Sequence, residues 1–406
     1  MKILFVHNFY GSSAPSGENS VYKSEVALLR KNGHEVLEYT RSSDEIRKQG
    51  VWGLIKGGFA TPWNYFSYRE VKQLILAENP DVMHVHNTFP LISPAIFWAA
   101  AKTRTATVFT LHNYRIYCGE ASLSRGGKPC HKCLDGRSVF MSLLHRCYRQ
   151  GFLATIPMAI KIASHRMLNT WNNHIDSLIT LSSFQAELME KAGIKKELIT
   201  IKPNFLPDAA NPVTWNFREN KIVFVGRLSQ QKGVHLLVKA WELWGESAPK
   251  LELIGDGPDR YTLENMVKKV NLTNKIHFSG HIANSDALNR LAKVKMMILP
   301  SICYEGFPLV ICEAFAMGVP VAASDHGAMG SMITDGVNGK LFLADNAKML
   351  LSVVQSVWGD DKLLSAMAEN ARSQFERQYT SKVNYAKLMD IYNSACEKRK
   401  KKLLTP

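Results

Sequence analysis

No uncharged apolar run in this chain reaches the roughly 18 residues that a membrane-spanning helix needs, so a spanning segment is not expected. A secretory leader is not expected either. Met1-Lys2-Ile3-Leu4-Phe5-Val6-His7-Asn8 has one cation and four apolar residues in succession, with no long apolar region and no small-residue cleavage site. Together these absences point to a cytoplasmic protein whose first residues form a strand. There is no internal repeat, which excludes a solenoid, and no low-complexity tract beyond a basic tail. Acids are scarce: 35 Asp and Glu face 50 Lys and Arg, for a net charge of +15. Between Leu91 and Thr180 the only acids are Glu120, Asp135 and Asp176, against eleven cations. Such a balance suits anionic lipid, phosphorylated ligands or nucleic acid. Nucleic acid is the least favoured, because the most aromatic stretch, Val51 through Phe66, carries one cation, Lys56. The tail Lys398-Arg399-Lys400-Lys401-Lys402 reads equally well as a solvated basic face.

The 406 residues, 46% of them hydrophobic, can fill two domains of ordinary size. Short apolar runs alternate with helical patterns, the signature of parallel α/β layers. Strands are expected at 2–7, 35–40, 82–86, 106–111 and 177–181, then at 222–226, 251–254, 276–279, 296–300, 319–323 and 340–343. Between the two sets, Lys202-Pro203-Asn204 through Asn211-Pro212 is rich in Pro and Asn and reads as a linker. The expected domains are 1–204 and 205–380, each Rossmann-like, followed by 381–406 as a final helix with the basic tail.

The densest chemistry lies in the second half. Ile222-Val223-Phe224-Val225-Gly226-Arg227-Leu228-Ser229-Gln230-Gln231-Lys232-Gly233 is a strand, a glycine turn, two cations and a helix start. A diphosphate suits it: Arg227 offers a planar fork, Lys232 a point charge, and the helix start free N–H groups. Gly255-Asp256-Gly257-Pro258 follows the next strand, its glycines allowing close backbone approach. Further on, Tyr304-Glu305-Gly306-Phe307-Pro308-Leu309-Val310-Ile311-Cys312-Glu313-Ala314 sets Glu305 on a loop beyond a strand's carboxyl end and Glu313 in an apolar helix. A carboxylate there is costly unless something bonds to it, and a hydroxyl-rich ligand could.

These segments resemble the motifs of the retaining, nucleotide-sugar-dependent glycosyltransferases of family four: G-R-L-x-x-x-K-G at Gly226–Gly233, G-x-G-P at Gly255–Pro258 and EX7E from Glu305 to Glu313. The resemblance implies the GT-B fold, two Rossmann-like domains facing across a cleft, with the last helix crossing back to the first domain. It implies transfer of a sugar from a nucleotide diphosphate donor to an acceptor hydroxyl, with no catalytic cofactor. A lipid-linked glycan or oligosaccharide acceptor in cell-surface polysaccharide synthesis fits the family and the basic first half. By resemblance Glu313 holds the ribose hydroxyls, Glu305 faces the donor sugar, and Arg227 and Lys232 neutralise the leaving diphosphate. Gly226, Asp256, Gly257, Phe307, Pro308 and Leu309 line the nucleotide sugar. One departure is Ser331, which stands where many members have an acid. A sugar-nucleotide epimerase on the same fold is the alternative, and a non-catalytic nucleic-acid-binding protein a remoter one.

In the first half, the small-residue loop from Asn8 to Asn19, with Gly17, resembles the family's first glycine loop. His112, at the end of a strand, corresponds to a family histidine placed near the donor sugar. His84 and His86 read as core positions or as support for other residues. Cys118, Cys130, Cys133 and Cys147 fall in one basic region, as free thiols or as ligands of a structural zinc. Two stretches, Val51 through Phe66 and Phe152 through Trp171, could lie on an anionic membrane surface, which would make the enzyme peripheral on the cytoplasmic face of the inner membrane, or could pack on their own domain.

Overall fold

The computed structural model describes residues 1–12, 16–136, 138–207 and 212–404. Positions 13–15 of the first loop and 208–211 of the expected linker lie outside these. The chain forms two compact units: Met1–Arg125 with Cys130–Asn204 and Asn384–Pro406, and Phe205–Val383 with Gly126–Pro129.

The first unit is built on a parallel six-stranded sheet. Its strands are β1 (Lys2–Phe9), β2 (Glu35–Ser42), β3 (Val82–Asn87), β4 (Ala106–Thr110), β5 (Ser177–Thr180) and β6 (Ile199–Ile201), in the order β2-β1-β3-β4-β5-β6. Ile3, Leu4, Phe5 and Val6 are all fully buried, as expected of a strand covered on both faces. The five strands expected here are present. β6 was not, because a three-residue, half-exposed edge strand leaves no apolar run to read.

The Ser381–Leu404 helix crosses back to this unit. Leu388, Ile391, Tyr392 and Ala395 join its core beside Ile3, Phe5 and Val82. The basic tail is not simply a solvated face. Arg399 is buried, donating to Asp176 at 2.8 Å, and Lys402 lies 2.9 Å from the other Asp176 oxygen.

The helix Phe152–Met167 departs from the expected amphipathic pattern. Lys161 and His165 are buried beside Met158 and Ile162, while Phe152, Leu153, Ile160 and Met167 are exposed. Gly58 of the neighbouring Gly50–Ala60 helix sits against Pro157, and that helix exposes Val51, Trp52, Leu54, Ile55 and Phe59. No helix among the described residues is long and apolar enough to cross a membrane.

The second unit carries β7 (Glu219–Val225), β8 (Lys250–Ile254), β9 (Ile276–Gly280), β10 (Val294–Leu299), β11 (Val321–Ser324) and β12 (Gly339–Phe342), all parallel, in the order β9-β8-β7-β10-β11-β12. This is the doubly wound Rossmann order, and its strand sequence reverses between β7 and β10. In the first unit the reversal falls between β1 and β3. Open α/β sheets bind ligands outside the carboxyl ends of their strands at such points.

Candidate active site

In the second unit, two β–α turns meet backbone to backbone. A Cβ on Gly255 would stand 1.9 Å from the Gly226 carbonyl oxygen, so this approach requires glycine. After β7 the chain passes exposed Arg227 and makes a turn at Gln230–Lys232. Gly233, at φ 67°, then opens the Val234–Trp244 helix; a Cβ there would meet the Pro300 carbonyl oxygen at 2.0 Å. That packing fixes Lys232 beside the loop that follows β10.

There the Lys232 Nζ lies 2.5 Å from Glu305 Oε1, and Ser301 Oγ donates to the same oxygen at 2.7 Å. His326 Nε2 donates to the Ser301 carbonyl at 2.9 Å and so steadies the loop. Burial opposes charge on both members of the pair, but their mutual attraction prevails. Glu305 is held below the usual carboxylate range and Lys232 above the usual amine. Arg227 makes no hydrogen bond or ion pair among the described residues, which leaves its fork available.

Glu313 sits in the Leu309–Ala316 helix, which begins at Pro308 without a side-chain cap. Phe307 packs edge-on against Tyr379, ring centres 5.8 Å apart, ahead of that helix start. The Glu313 carboxyl has no bonding partner among the described residues, and burial alone pushes it up to about 7. Asp256 differs from the expectation of a free nucleotide contact. It accepts from Gly257 N–H at 2.7 Å and pairs with Arg260 at 3.1 Å, which staples the turn. Ser331, the departure from the family pattern, donates to the Ala328 carbonyl of its own short helix.

In the first unit, His112 follows β4 and is joined to His86, with His112 Nε2 2.9 Å from His86 Nδ1 and the rings stacked at 5.0 Å. His86 Nε2 lies 3.2 Å from Glu25 Oε2, and Lys202 Nζ lies 2.5 Å from Glu25 Oε1. A carboxylate only accepts, so His86 carries its proton on Nε2 and its Nδ1 accepts from His112. Burial holds His112 far below the usual imidazole range, so it is neutral. Glu25, His84 and His86 are the one trio among the described residues with ligand atoms within 4.8 Å of one another. Lys202 already meets the carboxylate's charge. His84 spends its nitrogens on the Tyr392 hydroxyl at 2.7 Å and Thr110 Oγ1 at 2.8 Å. The trio is a buried ion-pair cluster, and His84 and His86 are core residues supporting His112. Gly17 is exposed at the start of the Gly17–Lys31 helix, behind the Ser16 cap.

The zinc expectation for the cysteines is not supported. All seven are free thiols, and no three of Cys118, Cys130, Cys133 and Cys147 bring sulfurs within 4.8 Å of one another. A zinc with about 2.3 Å bonds needs four sulfurs closer than that. Burial pushes Cys133 up to about 11, and the nearby Cys118, Cys147 and Cys130 add to the shift, so with no metal bound it is a protonated thiol.

Sequence reasoning did not single out Ser301 or His326; neither belongs to a motif, and only the fold brings them to Glu305. It also passed over Glu18, Arg115 and Lys161, which gather at the carboxyl edge of the first sheet.

Two doubly wound parallel sheets, a cation–carboxylate pair at the switch point of one and a last helix returned to the other define a glycosyltransferase of the GT-B class. Residues 208–374 match the family model for glycosyl transferases group 1, and residues 17–209 match that for glycosyltransferase family 4. The chain belongs to the family-four glycosyltransferases. An uncharacterized glycosyltransferase of Methanocaldococcus jannaschii is 30% identical over 187 residues, 44% of this chain and 46% of that protein. The match thus spans about half of that relative's length. A Bacillus subtilis glycosyltransferase whose name assigns it to teichuronic acid biosynthesis is 26% identical over 82% of this chain and 83% of its own. Among solved structures, Anabaena HepE in complex with UDP superposes with a TM-score of 0.69 at 17% identity, covering 97% of this chain and 100% of that one.

Proposed function

We propose that the chain transfers a sugar, with retention, from a nucleotide diphosphate donor to a hydroxyl of a lipid-linked glycan during cell-surface polysaccharide synthesis. The observation that carries this reading is the Lys232–Glu305 pair beside an unengaged Arg227 and an unpartnered Glu313, all at the carboxyl edge of one sheet. Arg227 and Lys232 take the diphosphate, with the Gly226 and Gly257 turns and the Phe307-Pro308-Leu309 backbone against the donor. Glu313 accepts from the ribose hydroxyls and Glu305 faces the sugar. Asp256 acts by shaping its turn. Neutral His112, its Nε2 proton directed to His86, offers Nδ1 as an acceptor for a sugar hydroxyl.

In the reaction the acceptor oxygen bonds to the anomeric carbon on the face from which the diphosphate departs. The anomeric carbon–oxygen bond breaks, and the acceptor's proton passes to the leaving phosphate oxygen. Arg227 and Lys232 stabilise the charge that grows there. The relative's complex makes UDP the first nucleotide to try. The exposed apolar residues of the Gly50–Ala60 and Phe152–Met167 helices fit a peripheral position on a membrane.

The test is a panel of nucleotide sugars with purified protein, scored by nucleotide diphosphate release and by product anomeric configuration. One donor should be consumed by wild type and not by Lys232→Ala or Glu305→Gln. Inverted product would refute retention, and equal turnover in the variants would refute the site.

A further inference from the structure

A second group of unmatched cations lies in the first unit, around the Phe89–Tyr148 ring pair, whose centres are 5.7 Å apart. Arg115 stands with its Cζ 4.2 Å from the centre of Phe89, and Lys161 Nζ is 5.6 Å from the same point. Arg149 lies 5.5 Å from the Tyr148 ring centre. Phe89 follows β3 and Arg115 follows β4, so the group sits at the carboxyl edge of the sheet, near its β1/β3 switch point.

The fold compensates this charge only in part. Lys161 is 97% buried, its amine makes no hydrogen bond or ion pair among the described residues, and burial, with Arg115 beyond it, holds it well below the usual amine range, so a bound anion is what would keep it charged. Arg115 buries its Nε and Nη1 without a partner. Its polar neighbours are the Tyr10 hydroxyl and the carboxyls of Glu18 and Glu120. Burial pushes Glu18 up to about 8, so it is largely uncharged at neutral pH, and burial raises Glu120 as well. Unpaired buried cations are costly, and folding alone gives no reason to keep them. A ligand with two or more negative charges would satisfy them together.

The same helix says what kind of molecule carries that anion. Lys161 points inward from Phe152–Met167, and a flanking stripe of that helix exposes Leu153, Ile160 and Met167, with Phe152 exposed at its start. An anionic group within and an apolar phase without are the two ends of a phosphorylated lipid. We propose that Arg115, Lys161 and Arg149 hold the phosphate or diphosphate of a lipid-phosphate acceptor. This inference rests on the glycosyltransferase reading above and specifies its acceptor.

The test is calorimetric titration of the full chain with farnesyl diphosphate, farnesol, inorganic pyrophosphate and, separately, UDP. Wild type, Lys161→Met, Lys161→Arg and Arg115→Gln are compared. Farnesyl diphosphate should bind wild type at least about tenfold more tightly than pyrophosphate does, and farnesol should not bind. Lys161→Met and Arg115→Gln should each weaken farnesyl diphosphate at least about tenfold and leave UDP unchanged, with Lys161→Arg retaining most of the binding. Lys161→Met should also melt higher than wild type, a change that a merely structural lysine would not produce. Equal farnesyl diphosphate affinity in all four proteins would overturn the site. Parallel loss of UDP would assign the cations to the donor, and equal affinity for pyrophosphate would remove the lipid. If wild type binds farnesyl diphosphate but neither binds UDP nor consumes any nucleotide sugar, the donor reading fails and this site stands.

Discussion

Replacing Glu313 by Gln should make the protein more stable and a poorer enzyme at once. Burial alone lifts this carboxyl from 4.5 to about 7, with no partner to offset it. At roughly 1.36 kcal/mol for each tenfold change in proton affinity, the ionised carboxylate costs the folded state about 2–3 kcal/mol above pH 7, allowing for partial exposure. The sign follows from the raised pKa. The folded protein binds the proton more tightly than the unfolded chain, so stability is lost as pH rises from the unfolded value through about 7. Gln keeps the shape and removes the charge. At pH 8 the variant should therefore melt several degrees above wild type, and the gap should narrow as pH falls and close below about pH 4.5. Nucleotide binding should move the other way. A carboxylate accepting from hydroxyls contributes about 1.5–3 kcal/mol, so UDP affinity at pH 8 should fall roughly 10- to 100-fold. Scanning calorimetry across pH and UDP titration check the two halves. A variant less stable than wild type at pH 8, or a gap that does not depend on pH, would refute the reasoning.

Arg227→Ala removes an exposed cation with no partners, so stability should stay within about 0.5 kcal/mol while donor KM rises at least tenfold, measured by initial rates. Lys232→Ala strands the Glu305 carboxylate and should cost about 3 kcal/mol in denaturant unfolding as well as transfer activity. Glu305→Gln, which keeps a hydrogen-bonding group for Lys232 and Ser301, should lose activity at least about 100-fold with a smaller stability loss. Arg399→Met should lower the urea midpoint by an amount corresponding to about 3 kcal/mol, because Asp176 would keep only half-exposed Lys402 and the Thr107 N–H.

The eleven strands expected from sequence are present; central ones such as β3 and β4 are apolar runs buried on both faces, which leaves a one-dimensional trace, whereas β2 is largely exposed. β6 leaves none, being short and half exposed. Motif residues were legible where chemistry demands fixed spacing, as at Gly226–Gly233 and Glu305–Glu313. Spacing could not say that Lys232 and Glu305, far apart in the chain, would pair, nor that Ser301 and His326 would hold the loop. Asp256 matched its motif but is occupied by Arg260. The cysteines share a region of the chain but not a ligand geometry. Lys161 is the clearest limit. Among apolar neighbours its letter suggests a cation reaching for solvent, and only the packing of its helix reveals that it faces inward.

The returned Ser381–Leu404 helix also constrains how the molecule is made. Its Tyr392 bonds the buried His84, and its Arg399 neutralises Asp176 beneath β4 and β5. Residues 1–204 therefore cannot close their core while they alone have left the ribosome. They must wait, with His84 and Asp176 unmatched, until the whole of Phe205–Val383 has been synthesised and Asn384–Arg399 follows. The usual order, in which the amino-terminal domain folds first, is reversed here. Among the described residues the second unit draws nothing from Asn384 onward, so the first is the one completed last.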